Sequence, residues 1–253
     1  GKGGVGKTSV TLGIGRGLSA MGYKTLLIDT DMGLNNLDVL MNVEDKIVFD
    51  ISDVADARCR PRQALVEDPD CENLMILPSV RGYRKNEVSG QMLRAIINSL
   101  QGFDYTLIDC PAGIELGFHR AVSAASEALV VTTPHISAVK DAGKVIGILG
   151  TYKIDARLIV NRVRGDMVLD GEMASPDDIR QALGIPLCGI IPENDEINAL
   201  SANGEKPKSG GNGSKAFSLL CHNIVYGTSD MYDYTAGYKG IFGGIKRALK
   251  KHL

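Results

Sequence analysis

The first eight residues combine glycines, lysines and a hydroxyl at a spacing that suits phosphate chemistry. They read Gly1-Lys2-Gly3-Gly4-Val5-Gly6-Lys7-Thr8 and fit G-x-x-x-x-G-K-[ST] throughout. Glycines let successive backbone N–H groups curl around phosphate oxygens, and a helix that follows adds its positive N-terminal end. Lys7 would reach the β- and γ-phosphates, and the Thr8 hydroxyl would ligate Mg²⁺. We therefore predict a nucleotide and Mg²⁺ site over residues 1–9, with Ser9 included.

Three aspartates follow short apolar runs and could complete that site. Asp29 and Asp31 follow Thr-Leu-Leu-Ile, and Asp109 ends the run Tyr-Thr-Leu-Ile-Asp. Asp109 fits a Walker B aspartate, which orders Mg²⁺ through water. Strand-end aspartates also cap the next helix, an alternative that suits Asp29 better than Asp31. No obvious glutamate base follows Asp109, so we expect slow hydrolysis.

The elements that must position these residues alternate along the chain. Continuous apolar runs of this kind are typical of parallel strands covered on both faces, and helix-length segments separate them. The alternation predicts one α/β domain, with a doubly wound, mostly parallel sheet of the P-loop NTPase type. Asp29, Asp109, Thr133 and Asn161 fall at strand ends, where such sheets bind ligands. The predicted strands are 25–29, 74–78, 105–109, 128–132, 157–161 and 187–192, and the predicted helices are 7–21, 87–101, 114–125, 136–152, 176–183 and 213–226.

Composition narrows the function class. Of 253 residues, 44% are hydrophobic and 23% charged, which is close to the average for globular proteins. The apolar runs are far shorter than the roughly 20 residues of a membrane-spanning helix, so we expect no such helix. The five cysteines are scattered without a C-x-x-C pair, which argues against a disulfide framework and against a zinc or iron–sulfur site.

Positive charge is concentrated at the C-terminus. Residues 239–253 carry five cations and no acid, which leaves −7 on the rest of a chain whose total is −2. An acidic body argues against a general DNA-binding protein, so we expect no specific nucleic acid partner. A basic tail instead suits an anionic surface.

The tail itself has the pattern of an amphipathic helix. Sixteen residues, 238–253, would extend about 24 Å, too short and too charged to cross a bilayer, so we predict a helix that lies among lipid headgroups. A helix packed on the protein's own core is the alternative. We divide the chain into an ATPase-type domain (1–226), a flexible linker (227–237) and this helix. Its predicted membrane contacts are Ile241, Phe242, Ile245, Lys246, Arg247, Leu249 and Lys250.

Five segments in order carry a family resemblance. They are KGGVGKT (2–8), DTDMGLNNLD (29–38), IDCPAGIE (108–115), IVNRVR (159–164) and IPEN (191–194). The chain resembles the ParA/MinD family of deviant Walker A ATPases, in particular its septum-site-determining members, but lacks their first β-strand. The resemblance implies that ATP and Mg²⁺ are the cofactors. It also implies that Lys2 reaches across a dimer interface to the partner's nucleotide.

Further roles follow from the same resemblance. Asp31 would position the attacking water and, with Thr8 and Asp109, serve the metal. Asn161, Arg162, Pro192 and Glu193 would lie by the adenine, and the segment 33–38, with Asn36, would act as a switch. Three departures stand out: the absent first strand, which would weaken nucleotide binding; Asn35 in place of arginine; and Cys110 in place of serine, which we expect to be a tolerated packing change.

The implied biology is control of division-septum placement. An ATP-dependent homodimer would bind anionic lipids, recruit a MinC-like division inhibitor and respond to a MinE-like regulator, between the cytoplasm and the inner membrane's cytoplasmic face. Two tails on one dimer would hold a membrane more firmly than one tail. The alternatives are a flagellar-number ATPase of the same family, a ParA-type DNA-partitioning ATPase, an iron–sulfur carrier on the same scaffold and a membrane scaffold that does not hydrolyse ATP.

Overall fold

The computed structural model describes residues 3–31, 36–80 and 88–240. Gly1, Lys2, Asn35 and the predicted membrane contacts Ile241, Phe242, Ile245, Lys246, Arg247, Leu249 and Lys250 lie outside these ranges. The strands are β1 (Thr25–Asp29), β2 (Val66–Asp68), β3 (Cys71–Leu77), β4 (Tyr105–Asp109), β5 (Glu127–Thr132), β6 (Asp155–Val163) and β7 (Leu187–Pro192). The helices are α1 (Lys7–Ala20), α2 (Asn36–Met41), α3 (Ile51–Ala55), α4 (Gly90–Ser99), α5 (Leu116–Ala124), α6 (Ile136–Thr151), α7 (Gly165–Leu169), α8 (Pro176–Leu183), α9 (Asp195–Asn203) and α10 (Asn212–Tyr226).

The strands form two mostly parallel sheets. One has the order β2-β3-β1-β4, and the other has the order β5-β6-β7. Only the β2–β3 pair among these strands is antiparallel. Asp29 of β1 lies directly opposite Asp109 of β4 in the parallel register. Two of the predicted acidic residues are therefore brought side by side.

Helices cover both faces of the sheets. Leu27 of β1 and Ile159 of β6 join a core with α1, α9 and α10. Their neighbours along the strands point the other way, since Leu26 packs with α3 and α4 while Leu158 packs with α8. Alternate residues of one strand thus enter opposite layers. The prediction of a doubly wound α/β fold is confirmed.

The edges of β4 and β5 are unpaired among the described strands. All five residues of β1 are buried, whereas Tyr105 to Ile108 of β4 are only half-buried. Leu107 and Leu129 nevertheless pack against the same core. Both edges therefore border one apolar interior.

Helix boundaries agree with the sequence where capping residues are present. The prediction of 176–183 matches α8, because Ser175 Oγ accepts from Asp178 N (3.1 Å) and Asp178 Oδ2 accepts from Ser175 N (3.0 Å). Gly184 then ends the helix in a left-handed conformation. The short elements β2, α2, α3, α7 and α9 were not predicted.

The segment after α10 differs from the predicted flexible linker 227–237. Asp230 N donates to Asn223 Oδ1 (3.0 Å), and Tyr234 packs beside β6 and α8. A 3₁₀ turn over Ala236–Tyr238 follows. Glycine, serine and aspartate suggested a loose connection, but the tyrosines of this segment have an apolar surface to cover. Among the described helices, none has the length and apolarity required to cross a membrane.

A buried arginine ties α1 to two distant segments. Arg16 is 7% exposed, and its Nε donates to Asp68 Oδ2 at 3.0 Å. Its guanidinium also donates to the carbonyl oxygen of Gly204 and to Asp70 Oδ2 (3.4 Å). The loop after α9 is therefore anchored at its first residue, Gly204.

We expect Arg16→Met to lower the free energy of unfolding by about 3–5 kcal/mol, because it leaves the Asp68 carboxylate buried without a cation. Urea denaturation would measure the loss. Arg180→Met is the matched control, because Arg180 lies in a surface ion pair with Asp177. A loss for Arg16→Met no greater than that of the control would contradict the assigned role.

Candidate nucleotide-binding site

The phosphate loop has the backbone that its glycines predict. Gly4 and Gly6 have φ values of +83° and +91°, in the region that glycine adopts without strain. Helix α1 begins at Lys7 with no side chain capping its N-terminus and no acidic residue in its first turn. Its first N–H groups and the Lys7 ammonium therefore present a positive surface suited to phosphate. Gly3, Gly4 and Val5 form the turn, and Ser9 lies one helical residue beyond Thr8, buried.

Asn161 braces this loop from the end of β6. Its Nδ2 donates to the Val5 carbonyl oxygen (2.9 Å), and its Oδ1 accepts from Arg162 N (2.9 Å). Arg162 adopts a φ of +57°, and the β6–β7 register shifts between Val160 and Val163. A non-glycine residue held in this region signals a constrained position. The amide of Asn161 thus fixes the loop, and its place beside the adenine stays a prediction.

Asp109 is held between hydroxyl groups. It is buried, Thr11 Oγ1 donates to its Oδ1 (3.1 Å), and Thr30 Oγ1 donates to its backbone oxygen (2.6 Å). Burial raises the pKa of the Asp109 carboxyl to about 6, against the lowering effects of hydrogen bonds from Thr8 and Thr11 and of the Lys7 charge. A hydrogen bond thus joins Thr8 to Asp109, two of the residues predicted to serve the metal.

Asp29 and Asp31 play different parts. Asp29 Oδ1 accepts from Asp31 N (2.8 Å) and Oδ2 from Leu37 N (3.3 Å), so Asp29 orders the turn and the start of α2. Burial raises its pKa to about 7, and the Asp109 charge adds to this. Asp31 is half-buried. Its partial exposure places Asp31 at the mouth of the site, where partial burial raises its pKa and the Lys7 charge opposes that rise.

These carboxylates fit a divalent cation. Burial raises the pKa values of Asp29 and Asp109, and a neighbouring carboxylate adds to each rise, Asp109 for Asp29 and Asp31 for Asp109; a cation would reverse both effects. Within the described residues, no group of three or more His, Cys, Asp or Glu side chains could hold a metal by itself. Mg²⁺ typically takes one or two carboxylates, with water and phosphate oxygens as its other ligands. Thr8, Asp31 and Asp109 meet that requirement.

The predicted base-side residues lie beside β6. Pro192 pairs with Val163, and Glu193 N donates to the Val163 carbonyl oxygen (3.1 Å). Pro192 and Glu193 line a cavity of about 80 Å³, together with residues of the segment after α10. Arg162 is exposed at the same edge. Of the predicted switch segment 33–38, the structure describes residues 36–38, which begin α2. Residues 32–35 and the side chain of Asn36 lie outside the described part.

Two site residues escaped the sequence analysis. Thr11 lies three residues after Thr8, on the same face of α1, so helical spacing could have identified it. Thr30 reaches the Asp109 backbone only because β1 and β4 are neighbours, which the sequence does not reveal. Cys110, the departure from serine, has a thiol pKa raised to about 12 by its removal from solvent and by the Asp109 charge, so it remains protonated.

We expect Gly6→Ala to weaken nucleotide binding at least about 100-fold. A Cβ at residue 6 would lie 2.5 Å from Asn161 Nδ2, and alanine strains a φ of +91°. Titration with a fluorescent ATP analogue would measure the loss. Gly4→Ala is the control for backbone strain, because its φ is similar but its Cβ would meet open space. Equal losses for both variants would show that contact with Asn161 is irrelevant.

The glycine turn at the N-terminus of α1, the adjacent lysine and the paired strand-end aspartates define a P-loop nucleotide-binding protein of the α/β class. Residues 1–207 match the family model described as the CobQ/CobB/MinD/ParA nucleotide binding domain. A putative septum site-determining protein MinD of Guillardia theta is 47% identical over 209 residues, covering 82% of this chain and 77% of that protein.

Solved structures agree with this assignment. A MinC:MinD cell division protein complex from Aquifex aeolicus superposes with a TM-score of 0.82 at 36% identity, covering 90% of this chain and 93% of that one. MinD complexed with Mg-ADP from Pyrococcus horikoshii gives a TM-score of 0.80 at 30% identity, covering 89% and 93%. The chain belongs to the MinD family of septum site-determining ATPases. The family predicted from the sequence is confirmed.

Proposed function

We propose that this chain is a slow, Mg²⁺-dependent ATP hydrolase that switches between a cytoplasmic form and a membrane-bound dimer. One observation carries the proposal: Asp109 is buried against Thr8 and Thr11, while Asp31 stands half-exposed beside Lys7. This arrangement supports Asp109 as the carboxylate for the metal and Asp31 as the carboxylate accessible to water. The family membership supports ATP as the nucleotide.

The residues divide the work of phosphoryl transfer. Bound Mg²⁺–ATP supplies the transferable phosphoryl group. Lys7 neutralises charge on the outer phosphates, and the N–H groups of the loop hold their oxygens. Asp31 accepts a hydrogen bond from the attacking water and orients it. Partial burial, which the Lys7 charge opposes, raises the pKa of Asp31, and this favours the carboxylate as an acceptor for a proton of that water.

Dimerisation would couple the site to the membrane. Lys2 would reach the partner's nucleotide, and two copies of the basic tail would bind anionic lipids of the inner membrane on its cytoplasmic face. Hydrolysis would release the dimer. A MinC-like division inhibitor is the expected partner, supported by the MinC:MinD complex to which the fold is similar, and a MinE-like regulator would stimulate turnover.

Sedimentation velocity in solution tests the dimer. We expect the wild type to sediment as a dimer with ATP and as a monomer with ADP, whereas Lys2→Ala stays monomeric with either nucleotide. Lys24→Ala is the control, because Lys24 is an exposed lysine next to β1. A monomer with ATP, under conditions where ATP is bound, would refute the proposed switch.

A further inference from the structure

We propose that residues 228–238, here called the strap, form the outer wall of the base-binding side of the nucleotide site, and that their tyrosines distinguish a nucleotide from bare triphosphate. The inference rests on the proposed function, since it assigns a specificity role at the same site. It starts from the cavity at the carboxyl ends of β6 and β7. One wall of this cavity is Val163, Pro192 and Glu193, and the other is Tyr232, Tyr234 and Tyr238.

The position of the cavity suits a nucleoside. Asn161, which holds the Val5 carbonyl of the phosphate loop, lies two residues before Val163 on the same strand. Two residues span at most about 7 Å, and the left-handed Arg162 between them shortens that distance, so the cavity is immediately beside the loop. A ligand whose phosphates occupy the loop would therefore direct its sugar and base toward the strap. Aromatic faces are the surfaces on which bases stack.

The strap is fastened at its start by one buried amide. Asn223 is wholly buried in α10, and its Nδ2 donates to the carbonyl oxygens of Cys188 (2.9 Å) and Asp230 (2.8 Å). Its Oδ1 accepts from Thr228 Oγ1 (2.7 Å) and Asp230 N (3.0 Å). All four hydrogen-bonding positions of the amide are used. The strap therefore belongs to the domain rather than to a free tail.

The far half of the strap is fixed by a turn and by packing. Thr235 donates from N (2.9 Å) and Oγ1 (2.6 Å) to Asp233 Oδ1, and Tyr238 N donates to the Thr235 carbonyl oxygen (2.9 Å). Tyr234 packs on the cluster formed by β6, β7 and α8. The tyrosines are thus held against the cavity by contacts on both sides of them.

Gly165 shows how closely the strap approaches the backbone of α7. A Cβ on Gly165 would lie 1.9 Å from the Tyr234 backbone oxygen and 3.0 Å from Tyr238 Cδ2. Gly165 opens α7 and does not have a positive φ, so alanine suits its backbone. The glycine is needed because the strap passes here. Gly165→Ala therefore displaces the strap and leaves the phosphate loop intact.

The experiment compares ATP with inorganic tripolyphosphate, both with Mg²⁺, on the full chain by calorimetry. We expect Gly165→Ala to weaken the binding of ATP at least about 10-fold and to leave the binding of tripolyphosphate unchanged. Gly147→Ala is the matched control, because Gly147 lies within α6 and its Cβ would meet open space. An unchanged ratio of the two affinities in Gly165→Ala would overturn the inference.

A second variant tests the same inference in case Gly165→Ala does not fold. Tyr232→Ser removes one face of the wall and is expected to lower the ATP-to-tripolyphosphate affinity ratio in the same direction, whereas Tyr226→Ser, an exposed tyrosine of α10, is not. If neither Gly165→Ala nor Tyr232→Ser changes the ratio, the strap does not recognise the base, while the proposed ATPase stands. If the wild type binds tripolyphosphate as tightly as ATP, the strap inference falls. If it binds neither, the proposed function falls as well.

Discussion

Lys7→Gln is expected to lower kcat/KM for ATP hydrolysis by at least about 10³-fold. Lys7 is the first residue of α1, next to the left-handed Gly6, so its side chain stands over the phosphate loop. It also acts on both Asp31 and Asp109, whose pKa values its charge lowers. Glutamine keeps the length and polarity of the side chain but removes the cation that phosphoryl transfer requires.

Steady-state phosphate release would measure the loss of turnover in this variant, and nucleotide titration would measure the loss of ATP affinity. Affinity for ATP should fall together with turnover, because Lys7 contacts the ground state as well as the transition state. Lys144→Gln is the control, since Lys144 lies on α6 in an exposed pair with Asp141. Turnover within tenfold of the wild type would show that the loop acts through its backbone alone.

Asp31→Ala is expected to separate ATP binding from hydrolysis. Asp31 is half-exposed at the mouth of the site and lies within reach of the Lys7 charge. Since Asp31 is also one of the groups suited to the metal, its removal should weaken ATP binding, but by less than about tenfold. The hydrolysis rate should fall about 10²-fold or more, since an orienting group for the attacking water is lost.

The neighbouring aspartates provide the comparison. Asp29→Ala should destabilise the fold, because Asp29 accepts from the backbone N–H groups of Asp31 and Leu37. Asp45→Ala, at an exposed 3₁₀ turn, should affect neither binding nor turnover. Single-turnover hydrolysis with chemical denaturation distinguishes these cases. Unimpaired hydrolysis in Asp31→Ala would remove Asp31 from the mechanism.

Local signals explain which parts of the fold the sequence predicted. α1 follows a glycine loop, β1 is a continuous apolar run, and α8 has a capping box and a terminal glycine, so each is specified by its own residues. β2 has three residues and pairs antiparallel with β3, and a pattern that short has no detectable period. Most of the elements that the sequence did not predict have three to six residues. The exception is α9, whose nine residues follow the N-cap Asn194 and end at Gly204, local signals that could have predicted it.

The candidate site divides in the same way. The loop residues and Asp109 are identified by motif and strand end, and the structure brings them together at Thr8. The strap could not be predicted from the sequence, because a single amide in α10 anchors it and its tyrosines are spaced like those of a loop. The Arg16–Asp68 pair joins residues 52 apart, a contact that sequence pattern alone does not specify.

Co-sedimentation with anionic phospholipid vesicles tests the central claim, that ATP binding controls membrane attachment, most directly. The full chain would be compared with a chain ending at Gly240, which keeps the strap but lacks the predicted membrane contacts, each with ATP and with ADP. We predict that only the full chain with ATP pellets with the vesicles, and that neutral vesicles retain neither chain. Equal pelleting of the full chain with ATP and ADP would contradict the account, because the tail would then be a constitutive anchor.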